Sequence, residues 1–95
     1  MNHLAKISYE TALRREQITT DNSNIHDESG DAIFREFSEY HYASETESSE
    51  HLPQYSEAAE ELADILIVCL TELYRRGVNV EKIITDKIEY NKTRQ

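Results

Sequence analysis

The longest apolar run of the chain lies between Leu62 and Leu70, and Asp64 is its one polar residue. A helix over that run is apolar on nearly every side, which is the pattern of a helix buried against several neighbours. A carboxylate inside it is costly unless something pairs with it. The flanking positions define the element. Ser56 is the expected N-cap, Glu57, Glu60 and Glu61 occupy the first turns where the helix dipole favours negative charge, and Arg75 and Arg76 fill the last turn before Gly77 at C′.

The rest of the chain predicts three more helices. A first runs from about His3 to Gln17, with Asn2 as candidate cap and Leu4, Ile7, Ala12 and Leu13 as a loose apolar side. The stretch Thr19–Ser29 is dense in Asp, Asn, Ser and Thr and reads as a loop. A second helix begins near Gly30 to Ala32, with Asp31 able to cap it and Ile33, Phe34, Phe37 and Tyr40 as its core stripe. Ser44–Ser56 is a second loop, and a last helix runs from Asn79 as cap to about Thr93, with Val80, Ile83, Ile84 and Ile88 facing inward. Two glycines, one proline and no sustained two-residue alternation argue against a sheet. The expected class is all-α.

Ninety-five residues amount to one domain, at 1–95, near the lower end of what builds a self-sufficient core, so association with further copies is expected. Nineteen acidic residues against ten Lys plus Arg give a net charge of −9, which repels nucleic-acid backbones and anionic membrane surfaces. No run reaches the roughly 18 apolar residues of a membrane span, and the N-terminus lacks the apolar core of a secretion signal, so a cytoplasmic protein is expected. The lone Cys69 sits in the apolar run and reads as a small buried hydrophobe.

Charge inside the apolar stripes carries the chemistry. Glu36 and Glu39 on the second helix, and Glu61 and Asp64 on the third, are pairs three residues apart that each share a helix face. At about 100° per residue, Glu36 falls about 60° from Ile33, so it accompanies the core stripe. If the two helices pack antiparallel, four carboxylates converge. Such a cluster repels itself and takes up protons unless a cation neutralises it, and hard oxygen ligands without Cys or His select Mg²⁺ or Mn²⁺. On the last helix Lys87 and Asn91 fall within about 20° of Val80, and Arg94 within about 40°, where a plain bundle has leucine. Cations and an amide opposite a metal site suit a polyphosphate attacked by water. His3, His26, His41 and His51 are scattered with no ExxH, which counts against a ferritin-like di-iron bundle. Glu45, Glu47, Glu50, Glu57 and Glu60, by contrast, read as solvated surface.

The order ExxE, spacer, ExxD and then KxxxNxxR resembles the MazG-like, all-α nucleoside triphosphate pyrophosphohydrolases. Here it is Glu36 to Glu39, positions 40–60, Glu61 to Asp64, and the run Lys87, Asn91, Arg94. The resemblance implies a four-helix bundle completed by oligomerisation. It implies Mg²⁺-dependent hydrolysis of a (deoxy)nucleoside triphosphate to the monophosphate and pyrophosphate, with Glu36, Glu39, Glu61 and Asp64 holding the metal. Lys87 and Asn91 would contact the nucleotide, with Arg94 beside them, in a homodimer or homotetramer. One position departs from the pattern. The family motif is usually EExxE, and Arg35 stands where its first glutamate would be. That keeps a second expectation open: a catalytically degenerate helical dimer that binds a nucleotide or a partner protein.

Overall fold

A computed structural model describes residues 1–94. It contains four α-helices: α1 (Asn2–Arg14), α2 (Ile25–His41), α3 (Glu57–Arg75) and α4 (Val80–Lys92). Among the described residues there is no β-strand, only an isolated antiparallel bridge between Ser48 and Ser56. No described helix is long and apolar enough to cross a membrane. The chain divides into two compact units, Met1–Thr19 together with the chain from Leu70 onward, and Thr20–Cys69. Helix α3 therefore contributes its residues from Leu70 onward to one unit and those up to Cys69 to the other.

In the unit built on the chain ends, Ala5, Leu70 and Val80 form a small core against which Leu73, Tyr74 and Ile84 pack. The Tyr9 and Tyr74 rings lie 5.0 Å apart between centroids, tilted by 41°. Asn2 was expected to cap its own helix, but Met1 holds that position and Asn2 caps α4 instead. Its Oδ1 accepts from the Glu81 amide at 2.8 Å and its Nδ2 donates to Asn79 Oδ1 at 3.0 Å. Asn79 is the expected N-cap of α4 and accepts from the Lys82 amide. Two side chains thus satisfy two of the free donors at one helix start, and they tie α1 to α4.

The other unit holds α2 and the start of α3. Helix α2 begins at Ile25, about five residues earlier than its composition suggests. The turn is confined to a few residues, where Asp21 Oδ1 accepts from the Ser23 amide and Ile25 donates back to Asn22. Asp27 and Glu28 then fall in the first turn, where the dipole favours them. Ser56 accepts from the Ala59 amide as the expected cap of α3. The apolar stripes are less covered than the pattern implies. Phe34 is 70% and Phe37 54% exposed on α2, and Leu62, Leu66 and Ile67 are about half exposed on α3. Ile83 and Ile88, expected to face inward on α4, are likewise exposed.

Both α1 and α3 end in the same backbone device. After α3, the amide of Gly77 bonds to Tyr74 and that of Val78 to Leu73; after α1, the amide of Glu16 bonds to Leu13 and that of Gln17 to Ala12. These are Schellman closures, which need a left-handed residue at C′. Gly77 adopts φ +74° without a Cβ to object, whereas Glu16 takes φ +59° with one. That closure stops α1 at Arg14, short of the expected Gln17. A left-handed non-glycine residue costs about 1–2 kcal/mol. Urea unfolding should therefore show Gly77→Ala destabilised by about 1–2 kcal/mol, and Glu16→Gly stabilised by rather less, because glycine also loosens the unfolded chain.

Candidate metal centre

The two helices of the second unit bring their acidic faces together. One carboxylate oxygen from each of Glu36, Glu39, Glu61 and Asp64 lies within 4.8 Å of every other. The i, i+3 spacing on each helix turns both members of a pair the same way, and the four expected metal ligands meet at one point. Glu36, Glu61 and Asp64 are half-buried and Glu39 is exposed. The Oε2 atoms of Glu36 and Glu61 are shielded from solvent and accept no hydrogen bond among the described residues. Shielded carboxylate oxygens without donors are costly as they stand.

The electrostatics register that cost. Burial pushes the Glu36 carboxyl up to about 7, and the charge of Glu39 and a hydrogen bond with it, then Asp64 and Glu61, push in the same direction. Burial likewise raises Glu61, followed by repulsion from Asp64 and Glu39. Asp64 is raised by burial, then by Glu60 and Glu39, and His51 pulls it the other way. A divalent cation fits this arrangement. Opposite ligands of a six-coordinate Mg²⁺ stand about 4.2 Å apart, inside the span of the four oxygens, and an all-carboxylate donor set prefers hard cations.

The loop before α3 braces the cluster in a way the sequence pattern does not reveal. Glu57 and Glu60, expected to be solvated surface, are both engaged. Glu57 Oε1 accepts from the Ser44 amide at 2.9 Å, while the Ala58 amide donates to the Ser44 carbonyl at 3.0 Å. Buried Ser49 donates its hydroxyl to Glu60 Oε2 and accepts from the Leu52 amide. His51 Nδ1 stands 3.5 Å from Glu60 Oε1. Glu60 precedes Glu61 and lies one turn before Asp64, so these bonds fix the start of the helix that carries two of the four acids. Only the run of serines facing an acidic helix start hints at this in the sequence.

Lys87 and Asn91 belong to α4, in the unit built on the chain ends, and Arg94 follows that helix. All three are exposed. Lys87 Nζ lies 4.8 Å from the centroid of the Tyr90 ring, and Arg94 donates to Asn91 Oδ1 at 3.4 Å. Arg35 is exposed on α2 beside Glu36. No family model, curated protein or solved structure matches the chain.

The raised carboxyls set a pH signature. Protons are held more tightly by the folded chain than by the unfolded one, so the stabilisation is full below about pH 4.5 and is lost as pH rises through about 7. Metal-free protein should melt at progressively lower temperature across that window. Mg²⁺ or Mn²⁺ requires the ionised carboxylates, so its stabilising effect should be larger at pH 8 than at pH 5. Thermal melts with chelator and with each metal at both pH values check this.

Proposed function

We infer that the chain is a divalent-cation-dependent nucleoside triphosphate pyrophosphohydrolase of the MazG-like kind, working as a homodimer or homotetramer in the cytoplasm. The observation that carries this reading is the convergence of Glu36, Glu39, Glu61 and Asp64 on one point, with two shielded oxygens that lack donors. Bound Mg²⁺ or Mn²⁺ supplies neutralisation of phosphate oxygens and acidification of a water. The chain's own part is to hold that charge in place. Glu36, Glu61 and Asp64 form the shielded side of the site and Glu39 its exposed side, and all four would hold the cation. Lys87 and Asn91 are assigned to the nucleotide by the KxxxNxxR resemblance, and Arg94 is placed beside them by its position one turn after Asn91. The products are the nucleoside monophosphate and pyrophosphate.

Assembly is supported by what one chain leaves uncovered. Ile33, Phe34 and Phe37 on α2, and Leu62, Leu66 and Ile67 on α3, are all exposed, in a unit whose one buried apolar residue is Ala58 among those described. Exposed apolar surface on this scale marks an interface. A second copy is the occupant that a short, highly charged chain needs to complete its core.

Arg35 favours a second reading, a degenerate dimer that binds nucleotide or a partner protein without turnover. Pyrophosphate release from a panel of nucleotides with Mg²⁺ separates the two. The hydrolase reading expects release by the wild type and a loss of at least about a hundredfold in Glu61→Gln or Asp64→Asn, with helical circular dichroism unchanged. Absence of release on every nucleotide rejects it. Sedimentation should show a dimer or tetramer at micromolar concentration, and Leu66→Glu should shift it toward monomer. A folded wild-type monomer at that concentration rejects the assembly.

A further inference from the structure

The cations of α4 and of the residues just after it are treated in two ways. Lys82 Nζ is paired with Asp86 at 2.9 Å and Lys92 Nζ with Glu89 at 2.8 Å, each spent on a carboxylate one turn away. Lys87 and Arg94 are not. The residues one turn from Lys87 are Ile83, Ile84, Tyr90 and Asn91, and those one turn before Arg94 are Tyr90 and Asn91 again. Neither cation is ion-paired among the described residues. Instead both lie against one ring, Lys87 Nζ at 4.8 Å and Arg94 Cζ at 5.9 Å from the Tyr90 centroid. The ring itself is 57% exposed.

An aromatic face and a carboxylate do different things to a cation. Both order the side chain, but the carboxylate neutralises it and competes with any incoming anion, whereas the ring holds it by its quadrupole and leaves the full charge available. In a chain of net charge −9, two cations gathered at one ring, Lys87 on α4 and Arg94 just after it, are a local concentration of positive charge. Asn91, between them on the same face, adds an amide and already accepts from Arg94.

We propose that Tyr90 is a positioning residue that holds Lys87 and Arg94 extended and unneutralised for the phosphate chain of the substrate. This rests on the polyphosphate-hydrolase reading above for the identity of the anion, but its test is a binding measurement that needs no turnover. Tyr90 touches no reacting atom in this role. Its ring face is what matters and its hydroxyl is not, so phenylalanine should serve and an aliphatic side chain should not.

The experiment is calorimetric titration of inorganic tripolyphosphate, with Mg²⁺ present, into the full chain as wild type, Tyr90→Phe and Tyr90→Leu. Circular dichroism verifies equal helicity. The expected result is wild-type affinity in Tyr90→Phe and about a three- to tenfold loss in Tyr90→Leu. In the pyrophosphate assay the loss should appear in KM rather than in kcat. Equal affinity in Tyr90→Leu and wild type overturns the proposal, as does a loss in Tyr90→Phe as large as that in Tyr90→Leu, or a wild type that does not bind tripolyphosphate. Binding that depends on the Tyr90 ring, without pyrophosphate release from any nucleotide, supports this role and rejects the hydrolase reading.

Discussion

Four carboxylates held within 4.8 Å of one another are the constraint on which the second unit depends. Like charges this close repel, and partial burial removes the water that would screen them, so both effects push Glu36, Glu61 and Asp64 toward their protonated forms. An apolar pair of helices would meet through interdigitated leucines. Here the facing positions of α2 and α3 carry acids, and Phe34, Phe37, Leu62 and Leu66 of the same helices stand largely in solvent. A bound cation would neutralise the cluster and so offset the cost of building it.

The loop before α3 serves the same constraint from outside. A helix whose first turns carry Glu57, Glu60, Glu61 and Asp64 gains from its own dipole, yet its start must not fray if two of those acids are to keep their places. Ser44, Ser49, Ser56 and His51 all bond or lie close to that start, through backbone amides, hydroxyls and an imidazole. Glu57 and Glu60 have become structural acids. The distinction between them and Glu61 or Asp64 is one of partner: protein donors hold the former, and the shielded Oε2 of Glu61 has none.

At the chain ends stability comes from elsewhere. The core there is small, centred on Ala5, Leu70 and Val80, and the buried ion pair of Arg75 with Glu72 adds a charge-assisted bond of 3.3 Å inside α3. Asn2 joins α1 to the start of α4 across most of the length of the chain. The face of α4 that carries Lys87, Tyr90 and Asn91 lies beyond the helix's buried start at Val80 and is open to solvent.

Helix number, class and three of the end signals were legible in the sequence, since Ser56, Asn79 and Gly77 act through bonds to residues three positions away. The acidic face was legible for the same reason: a three-residue spacing on a helix aligns two side chains whatever the tertiary fold. The polar stretch Thr19–Ser29 reads as a loop by composition, yet its end is helical, because Asp27 and Glu28 are as favourable in a first helical turn as in a turn of chain. What only tertiary structure decided is everything that depends on distance across the chain. The meeting of Glu36 and Glu39 with Glu61 and Asp64, the capture of Glu60 by Ser49, and the transfer of Asn2 from its own helix to α4 leave no periodicity in the sequence. Helical spacing dictates which side chains share a face, and packing alone dictates which two faces meet.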